Sequence, residues 1–493
     1  MLVQVTLLIA LVSALHAMLG AAWLPVSDPD VWWVAAAGRE MLATQRVPTQ
    51  NMFSFVEPTR PWIMHEWLLG PVYAWGLSKL GPAFFVLVAT ATLAVGLWLI
   101  AYTLLSRAAH QLAASLLLGV STLFFLRRLQ TARPSCVSLL FPLLLSMLSF
   151  GTTFGPARLV GCILCEWVWA NVHGSFPIGI VLLVAAALDQ PRDRPLRLLA
   201  ALGAATVTLV NPYGVALHGF VWNYFWGRAG IYREIHNAIP EFSSMWQAWG
   251  SLITWPEVLG FGCIALMASA AACQARYRWR GLICLALLVA AARQARHLEL
   301  AGLVSCLLLV PWADAWVATW SAPAAIDARF RRRTMLWLLG PTYALSLGVL
   351  LLAGVQRRPD AWLSPEYAFL GSLSGVADSA RLYVPFRSAG LAIWYGYPRG
   401  IRVFYDPRND CYSVSTLRAF AALGKHDDSG EARQKARQIL DETHTDSVLI
   451  PATHRLKATL ATAPEWQLRA QLPGYLFQRR LRSSLLSYAS PAP

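Results

Sequence analysis

Charge is scarce in this chain. Asp, Glu, Lys and Arg make up 14% of its 493 residues, against 56% hydrophobic ones, and that excludes an ordinary soluble domain. Lysine is scarcer still, so the net charge of +15 is largely arginine. Those arginines are spread over the ends of apolar runs and do not form one face, so nucleic acid is not an expected partner. The first apolar run lacks a basic n-region and an A-x-A cleavage site, and it reads as a retained helix, not a signal peptide. Cysteine is nearly confined to the apolar runs: Cys136, Cys162, Cys165, Cys263, Cys273, Cys284 and Cys306 lie in them or at their edges. Cys411 alone lies in the polar tail, which therefore has no disulfide of its own. The tail also lacks a phosphate loop and metal-ligand spacing.

What the chain has is a succession of apolar runs long enough to cross a bilayer as helices. The expected spans are 4–23, 83–106, 111–126, 134–150, 158–172, 175–189, 197–211, 256–275, 281–295, 298–320 and 334–355, or about 11 in all. With the N-terminus in the cytoplasm, the inward loops carry Arg107, Arg158, Arg192, Arg194, Arg197, Arg276, Arg278, Arg280, Arg329 and Arg331 to Arg333. That is the positive-inside pattern. The reading is an all-α polytopic membrane protein over 1–355, followed by a small α/β domain over 356–493 outside the membrane. The expected location is a membrane, with membrane lipids around the spans and the tail on the outer side.

Two further regions face outward on this topology, the loop 24–82 and the segment 212–255. The segment is rich in Trp and Tyr, which suit an interfacial belt. In the tail, "ARLYVPF" (380–386), "GIRVFYD" (400–406) and "DSVLIP" (446–451) read as strands, and "SGEARQKARQILDET" (429–443) as an amphipathic helix. "HRLKATLATAP" reads as a second helix and "WQLRAQLPGYLFQRR" as a closing hairpin; strands alternating with helices give the α/β reading. DPRND (406–410) reads as a structured turn with an Asp–Arg pair.

Residues 27–33, SDPDVWW, open the outward loop. Asp28 before Pro29 suits a helix N-cap, and Asp30 in the first turn is favoured by the helix dipole. The helix has an apolar side, Val31, Trp32, Ala35 and Ala36, fit to lie along the membrane, with the tryptophans as its interfacial keel. Further along the loop, "RPWIMHEWLLGP" places His65 and Glu66 at another helix start. Carboxylates at such a site act as a general base toward a hydroxyl or hold a divalent cation, Mg or Mn, for which Asp28 and Glu66 are the candidate ligands.

Opposite these acids, three cationic groups break the positive-inside rule at one outward turn, Arg127, Arg128 and Arg133, and three at another, Arg293, Arg296 and His297. Asn171 and His173 in "EWVWANVHGSFP", which also holds Glu166, and Asn211 and Tyr213 in "VNPYG" fall near the same face. Charge at a membrane is costly and is normally kept for a site, and guanidinium matches phosphate in bidentate geometry. Acids facing arginines at the ends of many helices describe sugar transfer from a lipid phosphate. A carboxylate deprotonates the acceptor, the acceptor attacks the anomeric carbon with inversion, and arginine or a metal stabilises the leaving phosphate. Asp30 is the preferred base and Asp28 the cap or metal ligand.

The stretches "SDPDVWWVAAAGREMLATQRVPTQNMFSF", "RPWIMHEWL", "RRLQTARPS", "WANVHGSF", "NPYG", "ARQARH" and "RVFYDPRNDCY" span nearly the whole chain. Together they resemble the multi-pass bacterial membrane proteins of GT-C-type glycosyltransferase architecture. The resemblance implies a polyprenyl-phosphate-linked sugar donor, an extracytoplasmic glycan, lipid or protein acceptor, and Asp28 and Asp30 as the acidic loop motif. Val34 stands where many relatives carry His after the two tryptophans, which puts a metal or proton-relay role at that position in doubt. The alternatives are a ligase or polymerase moving a whole oligosaccharide, a transporter or flippase, and a scaffold of envelope glycan assembly. No inverted repeat of broken helices supports the transporter.

Overall fold

In the computed structural model, the described residues are 26, 28–125, 131–151, 153–227, 229–319, 363, 365–424, 429–471 and 473–480. The chain divides into two compact units. The first comprises Met1–Thr49 and Trp62–Leu363, and the second Gln50–Pro61 and Ser364–Pro493. Arg127 and Arg128, the expected spans 4–23 and 334–355, and the loop arginines between 329 and 333 lie outside the described residues.

The described part of the first unit is built from helices and the turns that join them. Two helices of the outward loop, α1 (Asp30–Thr44) and α2 (Leu69–Leu80), precede α3 (Ala83–Arg107), α4 (Gln111–Phe125), α5 (Pro134–Ser138) and α6 (Leu140–Ser149). Then come α7 (Pro156–Val172), α8 (Pro177–Asp189), α9 (Arg194–Val207), α10 (Val215–Trp226) and α11 (Gly230–Ala238). The last four are α12 (Trp255–Ala272), α13 (Arg278–Arg293), α14 (Leu298–Leu308) and α15 (Val310–Val317). Every expected span within the described residues is helical. Among the described residues, only α3 and α12 are long and apolar enough to cross a membrane, and Ala295–Leu308 with Val310–Val317 pass the same test only when taken together, as a pair bent by 53°. Leu139 separates α5 and α6 within the expected run 134–150.

α1 departs from the expected surface helix. Val31 to Gly38 are buried on every side of it, and Trp32 and Trp33 are inside the protein, not at an interface. Trp32 meets Phe85 edge-on at 5.2 Å and Trp33 meets Trp62 at 5.9 Å. The crossing of α1 on α2 is close because both carry glycine there: a Cβ on Gly38 would lie 1.8 Å from the Gly70 carbonyl oxygen. Small residues set the α12–α13 crossing too, where a Cβ on Gly281 would come within 2.4 Å of the Ala272 backbone nitrogen.

The arginines expected on the inner side bind helix ends. Arg107 donates to the carbonyls of Ser146 (3.1 Å) and Met147 (2.6 Å) in the last turn of α6, and Arg197 to those of Ser149 and Gly151 just beyond. Free carbonyls and the negative end of the helix dipole both favour a cation there. Arg280 forms a buried fork on Asp189, with Nε 2.9 Å and Nη2 2.6 Å from Oδ2. Asp314 does the converse, accepting the Ala109 and His110 N–H groups at the start of α4.

The second unit is a small mixed α/β domain. Its sheet has the order β2-β1-β3-β5-β4, built from β1 (Arg381–Tyr383), β2 (Arg402–Val403), β3 (Ser447–Ile450), β4 (Trp466–Ala470) and β5 (Tyr475–Arg479). β2, β1 and β3 run parallel, and β5 and β4 are antiparallel, with a bulge between Leu468 and Ala470. The described helices are α16 (Phe386–Gly396), where "AGLAIWYGY" reads as a helix or turn, α17 (Val414–Gly424), which has no counterpart in the expected elements, α18 (Gly430–Glu442) and α19 (Leu456–Ala461).

The segment 50–61 belongs to this unit although it comes from the loop 24–82. Asn51 accepts from Arg408 Nη2 at 2.6 Å and donates to the Cys411 carbonyl at 3.1 Å. Glu57 accepts from the Ser413 N–H at 2.9 Å and the Thr416 hydroxyl at 2.7 Å, which satisfies the start of α17. DPRND is a buried turn: Arg408 grips both carboxylate oxygens of Asp406 at 2.9 and 2.7 Å, and Tyr412 donates to Asp406 at 2.6 Å.

Candidate active site

Asp30 opens α1 and points at Arg133. One carboxylate oxygen lies 2.7 Å from Arg133 Nη2, and the other accepts the Trp33 indole N–H at 3.1 Å. Asp28 accepts the Asp30 backbone N–H at 2.9 Å, but the N-cap position is Pro29 and the helix starts at Asp30, one residue later than expected, so Asp28 serves the first helical N–H from outside the cap position. Arg133 stands just before α5 on a turn tied down by its neighbours. Tyr73 donates to the Ala132 carbonyl, and the Thr131 hydroxyl accepts the Arg133 N–H at 3.4 Å.

Arg133 is not an open cation. Its other face meets Glu241, with Nη1 3.1 Å and Nη2 3.4 Å from the two carboxylate oxygens. Glu241 escaped the sequence reading, which saw in 212–255 only the aromatics; the lone acid in "IPEF" was the available signal. Burial raises the Asp30 pKa to about 7, with Asp28 and Glu66 adding to it and Arg133 opposing. Burial likewise raises that of Asp28. For Arg133 burial works against the charge, and Glu241, Asp30 and Asp28 outweigh it, so it stays protonated. A carboxyl titrating near neutrality beside a fixed cation has the balance a general base requires.

A second cluster comprises His65, Glu66 and His173, whose ligand atoms all lie within 4.8 Å of one another. His65 Nε2 is 3.3 Å from Glu66 Oε1, and the buried Oε2 of Glu66 has no hydrogen-bond partner. An unsatisfied buried carboxylate oxygen beside an imidazole fits a divalent cation, so Glu66 and His65 are residues suited to hold one. The cluster places His65 and His173 beside Glu66, and Asp28, which the sequence reading paired with Glu66, is not among its members. The His173 ring lies 5.8 Å from that of His65. Burial first, then His65, Arg296 and Arg133, hold the His173 pKa well below the usual imidazole range.

The remaining expected residues have structural engagements. Asn171 accepts the Trp67 indole N–H at 2.7 Å and donates to the Trp167 and Val210 carbonyls, so both ends of its amide join neighbouring segments. Asn211 closes its own turn by donating to Thr208 and Gly214 carbonyls. The Tyr213 hydroxyl donates to the Pro48 carbonyl at 2.8 Å and accepts the Met64 N–H at 3.0 Å. It thereby fixes the backbone next to His65. Arg296 lies over the Phe242 ring at 4.4 Å, and the His297 ring stacks on Phe225 at 5.2 Å, with burial taking its pKa down to about 3. Arg293 is exposed at the end of α13. The turn carrying these three is joined to the 240s segment through the Ala295 N–H to Ser243 and the Met245 N–H to Ala292.

No family model matches the chain, and no curated protein matches its sequence. Solved structures do share its fold. ArnT from Cupriavidus metallidurans bound to undecaprenyl phosphate superposes with a TM-score of 0.51 at 14% identity, covering 98% of both chains. The archaeal oligosaccharyltransferase AglB from Archaeoglobus fulgidus, in complex with an inhibitory peptide and a dolichol-phosphate, gives 0.52 at 12% identity, covering 91% of this chain and 69% of its own. The chain therefore has the GT-C glycosyltransferase fold that its motifs resemble.

Proposed function

We propose that this protein is a multi-pass membrane glycosyltransferase that moves a sugar from a polyprenyl-phosphate donor to an extracytoplasmic acceptor, with inversion at the anomeric carbon. The observation that carries the reading is the placement of Asp30 against Arg133 beside the His65–Glu66–His173 cluster. The fold shared with an undecaprenyl-phosphate-bound protein and a dolichol-phosphate-bound one supports it. Asp30 takes the proton of the acceptor hydroxyl or amine as that group attacks the anomeric carbon. The bond from that carbon to the donor phosphate oxygen breaks, and its electron pair remains on the phosphate, where Arg133 offsets the charge. Glu66 and His65 would hold a divalent cation, which when bound would supply further positive charge to the leaving phosphate.

Transfer of a whole oligosaccharide is the second reading, favoured by the likeness to an oligosaccharyltransferase; the two differ in the size of the acceptor and donor glycan. The test is replacement of Asp30 by Asn in the native host, followed by analysis of envelope glycans, glycolipids and glycoproteins. The expected result is loss of one glycan modification at unchanged protein level. Unchanged glycans in cells that contain normal amounts of the variant would remove Asp30 as the base.

A further inference from the structure

We propose that His173 serves the site as a neutral hydrogen-bond donor through Nε2–H and not as a metal ligand, and that Ser175 and Trp169 are the positioning residues that fix it in this state. The argument follows the protons. The Ser175 backbone N–H, which can only donate, donates to His173 Nδ1 at 3.2 Å. Nδ1 must therefore carry a lone pair. The Ser175 hydroxyl oxygen lies 2.8 Å from the same nitrogen and accepts the Trp169 indole N–H at 3.1 Å. With its oxygen receiving Trp169, the hydroxyl has its own proton to give to Nδ1, since Ser138 is farther away at 3.4 Å. Two donors thus converge on Nδ1, and the neutral ring holds its proton on Nε2.

A histidine that binds a metal through Nε2 needs the opposite arrangement, with Nδ1–H donating to a carbonyl or carboxylate. His173 has no such acceptor at Nδ1. A ring nitrogen that accepts a backbone N–H carries no proton of its own, so the ring is neutral and a donor at Nε2 alone. The donating N–H belongs to the Ser175 backbone, two residues on, in the turn between α7 and α8, so the backbone of that turn sets the tautomer. The partner that suits an N–H beside Glu66 and His65 is a phosphoryl oxygen of the lipid-linked donor, and this last step rests on the proposed function. The cation site then consists of Glu66 and His65, with His173 on the anion.

The test uses the full chain labelled with 15N-histidine and solid-state NMR, which distinguishes protonated from unprotonated ring nitrogens. His173→Gln assigns the signals. The expected spectrum has unprotonated Nδ1 and protonated Nε2 at His173, unchanged by Mg2+; Ser175→Ala, which keeps the backbone N–H, retains this tautomer and shifts the Nδ1 signal through loss of the hydroxyl donor. Binding of undecaprenyl phosphate is expected to weaken about tenfold in His173→Ala, the loss of one hydrogen bond to a charged group, whereas Mn2+ binding stays at the wild-type level. A proton on Nδ1, a His173 signal that moves with Mg2+, or loss of Mn2+ binding in His173→Ala would overturn the assignment. A wild-type protein with the expected tautomer and no affinity for undecaprenyl phosphate would overturn the phosphate partner and the proposed function together, leaving the tautomer standing.

Discussion

Arg133→Gln tests the electrostatics of the site most directly. The guanidinium stands 2.7 Å from the Asp30 carboxylate, and its charge opposes the burial that lifts the Asp30 pKa to about 7. Two unit charges ~4 Å apart at an effective dielectric of ~20 interact by about 4 kcal/mol, which would correspond to about 3 pKa units. The side chains are 14% and 34% exposed, so solvent screens part of this, and an upward shift of about 1–2 units is expected. The assay is infrared titration of 13C-aspartate-labelled protein, with the Asp30 carboxylic acid band identified by its loss in Asp30→Asn. Wild-type protein should titrate at about 7, and Arg133→Gln above it.

The sign for stability follows. An acid whose pKa is raised on folding from 3.8 favours the folded state less as pH climbs, so this group's contribution falls between about 4 and 7 and is flat above that. In Arg133→Gln the decline should continue to higher pH. Arg133→Lys, which keeps the charge and loses the fork, guards against simple misfolding and should leave the midpoint within about one unit of wild type. An unmoved midpoint in a folded Arg133→Gln protein would refute the reasoning, because it would mean that the ion pair does not govern Asp30.

Two other substitutions probe how each unit is held together. Asp406→Asn leaves Arg408 buried without its carboxylate, and a loss of about 3–5 kcal/mol should show as earlier cleavage of the tail in limited proteolysis of the full chain. Gly38→Ala drives a methyl group into the Gly70 carbonyl, so α1 and α2 must separate; a loss of about 1–3 kcal/mol or more is expected from the detergent-solubilised melting temperature.

Much of this was legible in the residues. The tail's strands and helices follow from short apolar runs alternating with an amphipathic one, and each expected strand is present. Asp28 as an acceptor at the helix start and Asp30 as the acid in the first turn follow from SDPD, although the cap position itself falls one residue later, on Pro29. The burial of α1 was also readable: VWWVAAAG is apolar at every azimuth of a helix, and such a helix belongs inside, not at an interface. The periodicity picked out one apolar side and missed that the other side was no more polar. Engagements such as Tyr213 with Pro48, or Asn51 with Arg408, join positions far apart in sequence, and nothing local announces them.

The misplaced arginines teach a narrower lesson. A cation on the side where topology disfavours it signals that something negative offsets its cost, and that inference led to Arg133. It does not say whether the negative group is a ligand or the protein. In the fold Arg133 already faces Asp30 and Glu241, with Asp28 and Glu66 contributing to the same field. Three carboxylates, Glu241, Asp30 and Asp28, act on this one guanidinium, so a phosphate entering here must displace a carboxylate from Arg133 or arrive with a cation. Glu66, with an oxygen left unsatisfied, is where that cation has a ligand waiting. On the proposed reading, donor and divalent ion should therefore bind cooperatively: each lowers the electrostatic cost of the other, and neither alone suits a centre built with this excess of acid.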